Sequence, residues 1–172
     1  MTKNLTRPWF EYILKEQKIK EERGTAVMEK QFEVLLIDDN TADIELTKEA
    51  FAENEINIGF HFVMNAEKAM LFLKKEGEYV YAPKPDIILL DINIPGKSGL
   101  EFLNEIKSGE EFRHIPVIML TSSGAEKDIR ESYKLHANCY ITKPAEFEEF
   151  LRIIRLIKEF WFETVKMQDD NA

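Results

Sequence analysis

The stretch QFEVLLIDDN, residues 31–40, decides how the rest of the chain is read. Val34, Leu35, Leu36 and Ile37, with Phe32 at the edge, form an apolar run with no polar-apolar alternation, the pattern of a strand buried on both faces. The run ends abruptly in two adjacent carboxylates, Asp38 and Asp39. Two acids that close repel each other unless a cation or a shared proton relieves them. The remaining sequence has to supply that relief.

Working outward, NTADIELTKEAFAE places Ala42, Ile44, Leu46, Ala50 and Phe51 at helical spacing. INIGFHFV alternates Ile56, Ile58, Phe60 and Phe62 at period two, which predicts a strand. NAEKAMLFLKKEGEY predicts a helix capped by Asn65, and YAPKP a proline-marked loop. DIILLD is a second doubly buried strand that also ends in an acid, Asp91. PGKSGLEFLNEIK predicts a turn and a helix capped near Ser98. IPVIMLTSS is a further core strand, AEKDIRESYKLH a helix, and ANCYITKP a short strand stopped by proline. AEFEEFLRIIRLIKEFWFETV predicts one long last helix.

Strands alternating with helices, with near-continuous apolar strands, imply an α/β fold: a five-stranded parallel sheet covered by helices on both faces. The predicted organisation is an N-terminal helical extension over residues 1–30, a domain over 31–167 and a short tail over 168–172. TRPWFEYILKEQKIKEERG carries the extension, with Thr6 as cap, Pro8 in the first turn and aromatic residues Trp9 and Phe10 at its front. Within these 172 residues no DNA-binding or enzymatic output domain is expected, and the formal charge of -9 argues against generic binding to nucleic acid or an anionic membrane. Cys139 is the single cysteine, so no internal disulfide forms. No apolar run is long enough to span a bilayer and no secretory signal opens the chain, so a cytoplasmic protein is expected.

In an open parallel sheet, ligands bind beyond the carboxyl ends of the strands, where the strand order reverses. At those ends stand Asp38 and Asp39, Asp91, Thr121 followed by Ser122 and Ser123, and Lys143 followed by Pro144. Carboxylate ligands of this kind suit a hard cation, Mg2+ above all. An acid cluster, a cation, a hydroxyl and an ammonium are the equipment for holding and transferring a phosphoryl group, which depends on positioning and charge neutralisation. An ionised aspartate attacks phosphorus without a general base and forms an acyl phosphate.

The ordered set DD, D-x-N-x-P-G-x-x-G, T-S-S and Y-x-x-K-P resembles the receiver domain of bacterial response regulators over about residues 32–167. The resemblance implies the flavodoxin-like strand order 2-1-3-4-5 and makes Asp91 the phosphoacceptor. It implies that Asp39 and Asp91 bind Mg2+ directly, that Asp38 lies nearby or binds through water, and that the backbone carbonyl of Asn93 completes the protein ligands. Thr121 would hydrogen-bond the phosphoryl group, Lys143 would pair with it, and Tyr140 would be the aromatic switch. Lys143–Pro144 would be a cis peptide. FLKKEGEYVYAPKPDIILLDINIPGKSG, SYKLHANCYITKP and FWFETV are similar to single-domain regulators paired with bacterial phytochromes. The implied partner is a sensor histidine kinase, with a phytochrome as the candidate. The protein would then be a phosphoacceptor that catalyses only its own phosphorylation and dephosphorylation, rather than an enzyme acting on external substrates.

Rival chemistries fit less well. A haloacid-dehalogenase-type phosphatase needs a second acid two residues after its nucleophile, where this chain has Asn93. A flavodoxin needs a Ser/Thr/Gly-rich phosphate loop after the first strand, where this chain has DDNTAD. A degenerate receiver would not keep the acids and Lys143.

With no output domain, the signal is expected to be a change in partner contacts on the face made by the fourth helix, fifth strand and fifth helix. On the last helix Phe147, Phe150, Leu151, Ile154 and Trp161 form one apolar stripe, and Ile153, Leu156, Ile157 and Phe160 a second. At ~100° per residue the two span an arc of about 220°, wider than one sheet covers. Either the N-terminal segment or a second chain covers the rest; a homodimer, the commoner outcome, is expected, with Ile153, Leu156, Ile157, Phe160 and Trp161 at its interface.

Overall fold

The computed structural model describes residues 31–165. The helix expected within residues 1–30 and the tail 168–172 lie outside them. The described chain runs β1 (Phe32–Ile37), α1 (Thr41–Glu53), β2 (Ile58–Val63), α2 (Ala66–Lys74), a 3-10 turn (Gly77–Tyr79), β3 (Ile87–Leu90), α3 (Gly99–Ser108), β4 (Val117–Thr121), α4 (Glu126–Lys134), β5 (Cys139–Thr142) and α5 (Phe147–Ile157). The five strands form one sheet in the order β2-β1-β3-β4-β5, and every pairing is parallel.

Alternate residues of the central strands feed two cores. Leu35, Ile37, Ile88, Leu90, Val117 and Met119 face α2 and α3, which contribute Phe72, Phe102, Leu103 and Ile106. Val34, Leu36, Ile87, Leu89, Ile118 and Leu120 face α1 and α5, which contribute Ile44, Phe51, Phe150 and Ile154. β1, β3 and β4 are thus apolar on both sides because helices cover both sides. Each such side chain contributes roughly 1.5–3 kcal/mol on burial.

The helices start where the sequence offers caps. Asn40 accepts the Ala42 and Asp43 backbone N–H groups at the start of α1, and Asn65 accepts that of Lys68 at the start of α2. Ser98 and Glu101 form a reciprocal capping box on α3.

β2 is an edge strand, which explains why its alternation is incomplete: Phe60 packs on the α1 core while Phe62 is exposed. Gly59 on this edge makes room for a neighbour. Glu33 folds across it, so that a Cβ there would sit 1.8 Å from Glu33 Oε2, and that oxygen hydrogen-bonds His61 Nε2 at 2.7 Å.

The last helix departs from expectation. It stays α-helical only to Ile157, then widens into a π-helical turn over Lys158–Thr164. Ile157, assigned from the sequence to the dimer interface, is buried in the chain's own core at 4% exposure. The reason is angular: Ile157 lies seven residues after Phe150, about 20° from it on a helical wheel, and so belongs to the inward stripe. Ile153 and Trp161 are half-buried against the same core, and Phe162 stacks on Phe32 with ring centroids 4.6 Å apart. Leu156 and Phe160 remain exposed, at 51% and 54%.

Candidate functional site

β1 hydrogen-bonds β2 on one side and β3 on the other, so the strand order reverses at β1, and the crevice at that switch point opens beyond the strand ends. The ladders continue one step past the strands and fix the acids there. The Asp38 backbone N–H donates to the Val63 carbonyl at 3.1 Å, that of Asp91 to Ile37 at 3.0 Å, and that of Lys143 to Thr121 at 2.8 Å. Asp38, Asp91, Thr121 and Lys143 are thereby brought to one rim by three different strand pairs.

Their side chains meet there. Lys143 Nζ donates to Asp38 Oδ2 at 2.6 Å, Asp43 Oδ2 at 2.8 Å and Asp91 Oδ2 at 3.0 Å. The other Asp91 oxygen, Oδ1, accepts the buried Thr121 hydroxyl at 2.8 Å and the Asn93 backbone N–H at 3.1 Å. Both oxygens of Asp91 are thus oriented by groups that carry or lend positive charge. Asp38 is fully buried, and its Oδ1 accepts the Asn40 backbone N–H at 2.9 Å.

The electrostatics follow from this crowding. Burial raises the Asp38 pKa above the ordinary carboxylate value, against the opposing effects of the Lys143 ammonium and the Asn40 N–H, and the nearby Asp91 charge adds to the rise. Burial alone would lower the Lys143 pKa, but its hydrogen bonds to Asp38 and Asp43 and the charges of Asp38 and Asp91 outweigh it and hold the ammonium firmly protonated.

Asp43 is the residue that sequence reading missed. It sits in the first turn of α1, and its carboxylate completes with Asp38 and Asp91 a trio whose ligand atoms all lie within 4.8 Å of one another. Its signal was faint, one more acid in an acidic stretch, and its partner Lys143 is distant in sequence. Asp39 is exposed at the rim and is not part of this trio; Asn93 is exposed beside Asp91. Tyr140 is half-buried, and its hydroxyl donates to the Ser123 carbonyl at 2.8 Å. Burial raises the Tyr140 pKa, and the Asp128 and Asp91 charges add to the rise.

One expectation is corrected. Among the described residues no peptide bond is cis, so Lys143–Pro144 is trans. Trans stays the lower-energy isomer before proline by about 0.5–1 kcal/mol, and from the trans chain the Lys143 ammonium already reaches all three acids.

Gly99 opens α3 directly beneath the acid. A Cβ at this position would lie 2.0 Å from the Asp91 carbonyl oxygen, and the Gly99 N–H donates to the Ile92 carbonyl at 2.9 Å. Only a residue without a side chain fits this approach.

The donor set suits a divalent cation. Its acids are clustered and oxygen-only, and a single ammonium faces three carboxylates, leaving negative charge for a metal to neutralise.

Comparison with known proteins gives these geometries a context. A family model described as the response regulator receiver domain matches residues 34–155. Response regulator Rcp1 of Synechocystis sp. is 40% identical over 134 residues, which span 78% of this chain and 91% of Rcp1. The crystal structure of the phosphorylated cyanobacterial phytochrome response regulator RcpA superposes with a TM-score of 0.77 at 43% identity, covering 81% of this chain and all of that one (100%). The Mn2+-bound form of Rcp1 superposes with a TM-score of 0.74 at 38% identity, covering 80% and 99%. A family model that runs from β1 into α5, and a relative matched over nearly its whole length, carry one conclusion: this chain belongs to the response regulator receiver domain family.

Proposed function

We propose that this receiver domain accepts a phosphoryl group from a sensor histidine kinase on Asp91, with Mg2+ at the rim, and signals by changing partner contacts on the α4–β5–α5 face. The observation that carries the reading is Asp91 itself, a buried carboxylate at the end of β3 with Thr121 on one oxygen and Lys143 on the other.

The chemistry uses those contacts. A carboxylate oxygen of Asp91 attacks phosphorus, the P–O bond forms, and the P–N bond to the kinase histidine breaks. The bonding pair stays on the imidazole nitrogen, which keeps aromaticity as a neutral leaving group. The Lys143 ammonium and Thr121 hydroxyl, already bonded to Asp91, then have phosphoryl oxygens to meet. Mg2+, when bound, neutralises phosphoryl charge and orients those oxygens. Asp38 Oδ2 and Asp43 Oδ2 are already committed to Lys143. Asp91 Oδ2 shares that ammonium, so the assignment follows the receiver-domain pattern: Asp91, the exposed Asp39 and the Asn93 carbonyl would hold the metal, with Asp38 alongside.

A phytochrome-type kinase is the favoured donor, because RcpA, a phytochrome response regulator, and Rcp1 match this chain at 43% and 40% identity over nearly their full lengths. The protein acts in the cytoplasm, where histidine kinases present their phosphoryl groups; no helix among the described residues is long and apolar enough to cross a membrane. It assembles as a homodimer through the exposed Leu156 and Phe160 with the adjoining Ile153 and Trp161.

The deciding experiment is labelling with acetyl phosphate and Mg2+ followed by mass spectrometry. Wild type gains one phosphoryl group and Asp91→Asn gains none. Undiminished labelling of folded Asp91→Asn removes Asp91 from the role.

A further inference from the structure

Ser123 joins more of the switch region than any role assigned to it so far explains. Its N–H donates to Thr121 Oγ1 at 3.3 Å, its carbonyl accepts the Tyr140 hydroxyl at 2.8 Å, and its own hydroxyl donates to Asp128 Oδ2 at 2.5 Å while accepting the Ala125 N–H at 3.3 Å. The residue thus touches the hydroxyl on Asp91, the aromatic side chain of β5 and the first turn of α4.

The start of α4 depends on it. Ala125 occupies the N-cap and has no side-chain oxygen to offer, so no cap hydrogen bond forms there. Asp128, in the first turn, reaches back to Ser123 instead. α4 is therefore fastened to the loop that follows Thr121 rather than to its own cap residue.

That fastening opposes the response to phosphate. A phosphoryl group on Asp91 competes for the Thr121 hydroxyl, which now serves Asp91 Oδ1 and also accepts from Ser123. A Thr121 side chain that swings toward the new oxygens gives up the Ser123 N–H it now accepts, and Ser123 is held by a charge-assisted bond to Asp128.

We propose that Asp128 is a positioning residue that, through Ser123, clamps the 121–125 loop and α4 in the resting arrangement and so sets the threshold for switching. The inference rests on the phosphoacceptor reading above. Releasing the clamp raises the fraction of molecules competent to take the phosphorylated arrangement, and apparent affinity for a phosphoryl mimic rises in proportion to that fraction.

The test is titration of the full-length protein with beryllofluoride in saturating Mg2+, with Mg2+ titrated separately. Asp128→Ala should bind beryllofluoride about tenfold more tightly, the scale of one hydrogen bond to a charged group, with Mg2+ affinity unchanged. Ser123→Ala should reproduce the gain, the double variant should add nothing further, and Asp128→Asn, which keeps an acceptor oxygen, should return toward wild type. A role limited to holding the helix would lower the melting temperature without tightening the mimic. Equal or weaker beryllofluoride binding by folded Asp128→Ala overturns the clamp. If wild type fails to bind the mimic, or Asp91→Asn binds it equally well, the phosphoacceptor reading falls and the clamp with it.

Discussion

Thr121 Oγ1 donates to Asp91 Oδ1 at 2.8 Å, and both side chains are buried. The hydroxyl therefore already sits beside the atom on which a phosphoryl group would arrive. Thr121→Val keeps the shape and removes the donor. It should lower stability by roughly 1.5–3 kcal/mol, the worth of a hydrogen bond to a charged group, read as a lower urea midpoint. Labelling at Asp91 should persist while the conformational response is lost. A Val variant that responds normally removes Thr121 from the switch.

Lys143 is the common partner of Asp38, Asp43 and Asp91. Lys143→Ala leaves three acids facing one another, and removing one partner of a buried ion pair costs about 3–5 kcal/mol. Thermal melts without metal should fall accordingly, and Mg2+ should restore more stability to the variant than it adds to wild type. Equal metal increments would show that the ammonium and the cation do not share this charge.

Asp39 and Asp43 separate two views of the metal seat. If Asp43 is committed to Lys143, Asp39→Ala should lose most Mg2+ affinity and Asp43→Ala should keep it within a few-fold. The opposite ranking, in parallel metal titrations, would place the metal in the inner trio.

Phe160 tests assembly more cleanly than Ile157, because Ile157 belongs to the core. Phe160→Glu should convert a dimer to monomer by light scattering, with the melting temperature of the monomer unchanged and labelling intact. A wild type already monomeric at tens of micromolar ends the dimer proposal.

Much of this architecture is written locally. VLLIDD and DIILLD announce strands buried on both faces, because their apolar runs are unbroken. Asn65 and Ser98 announce helix starts, because capping needs only neighbours in sequence. What escaped was set by distance or by small angles. The Asp43–Lys143 pair joins α1 to the end of β5 and leaves no local mark. Ile157 was misplaced because it lies at the border of two stripes and the helix changes its winding just beyond it. The isomer of Lys143–Pro144 depends on an energy difference too small for residue types alone to decide.

The missing side chain at Gly99 has a mechanical meaning. With the Asp91 carbonyl where a Cβ would need to be, the first turn of α3 and the reactive strand end are seated against each other with no cushion between them. A seat that tight should keep the floor of the site in place and direct displacement to the side where hydrogen bonds link Thr121, Ser123 and Tyr140. Hydrogen exchange on phosphorylation should accordingly change at residues 122–126 and stay constant at 99–102. Phosphorylation should then act on this domain as a load on a hinged panel, with Gly99 setting the side that does not yield.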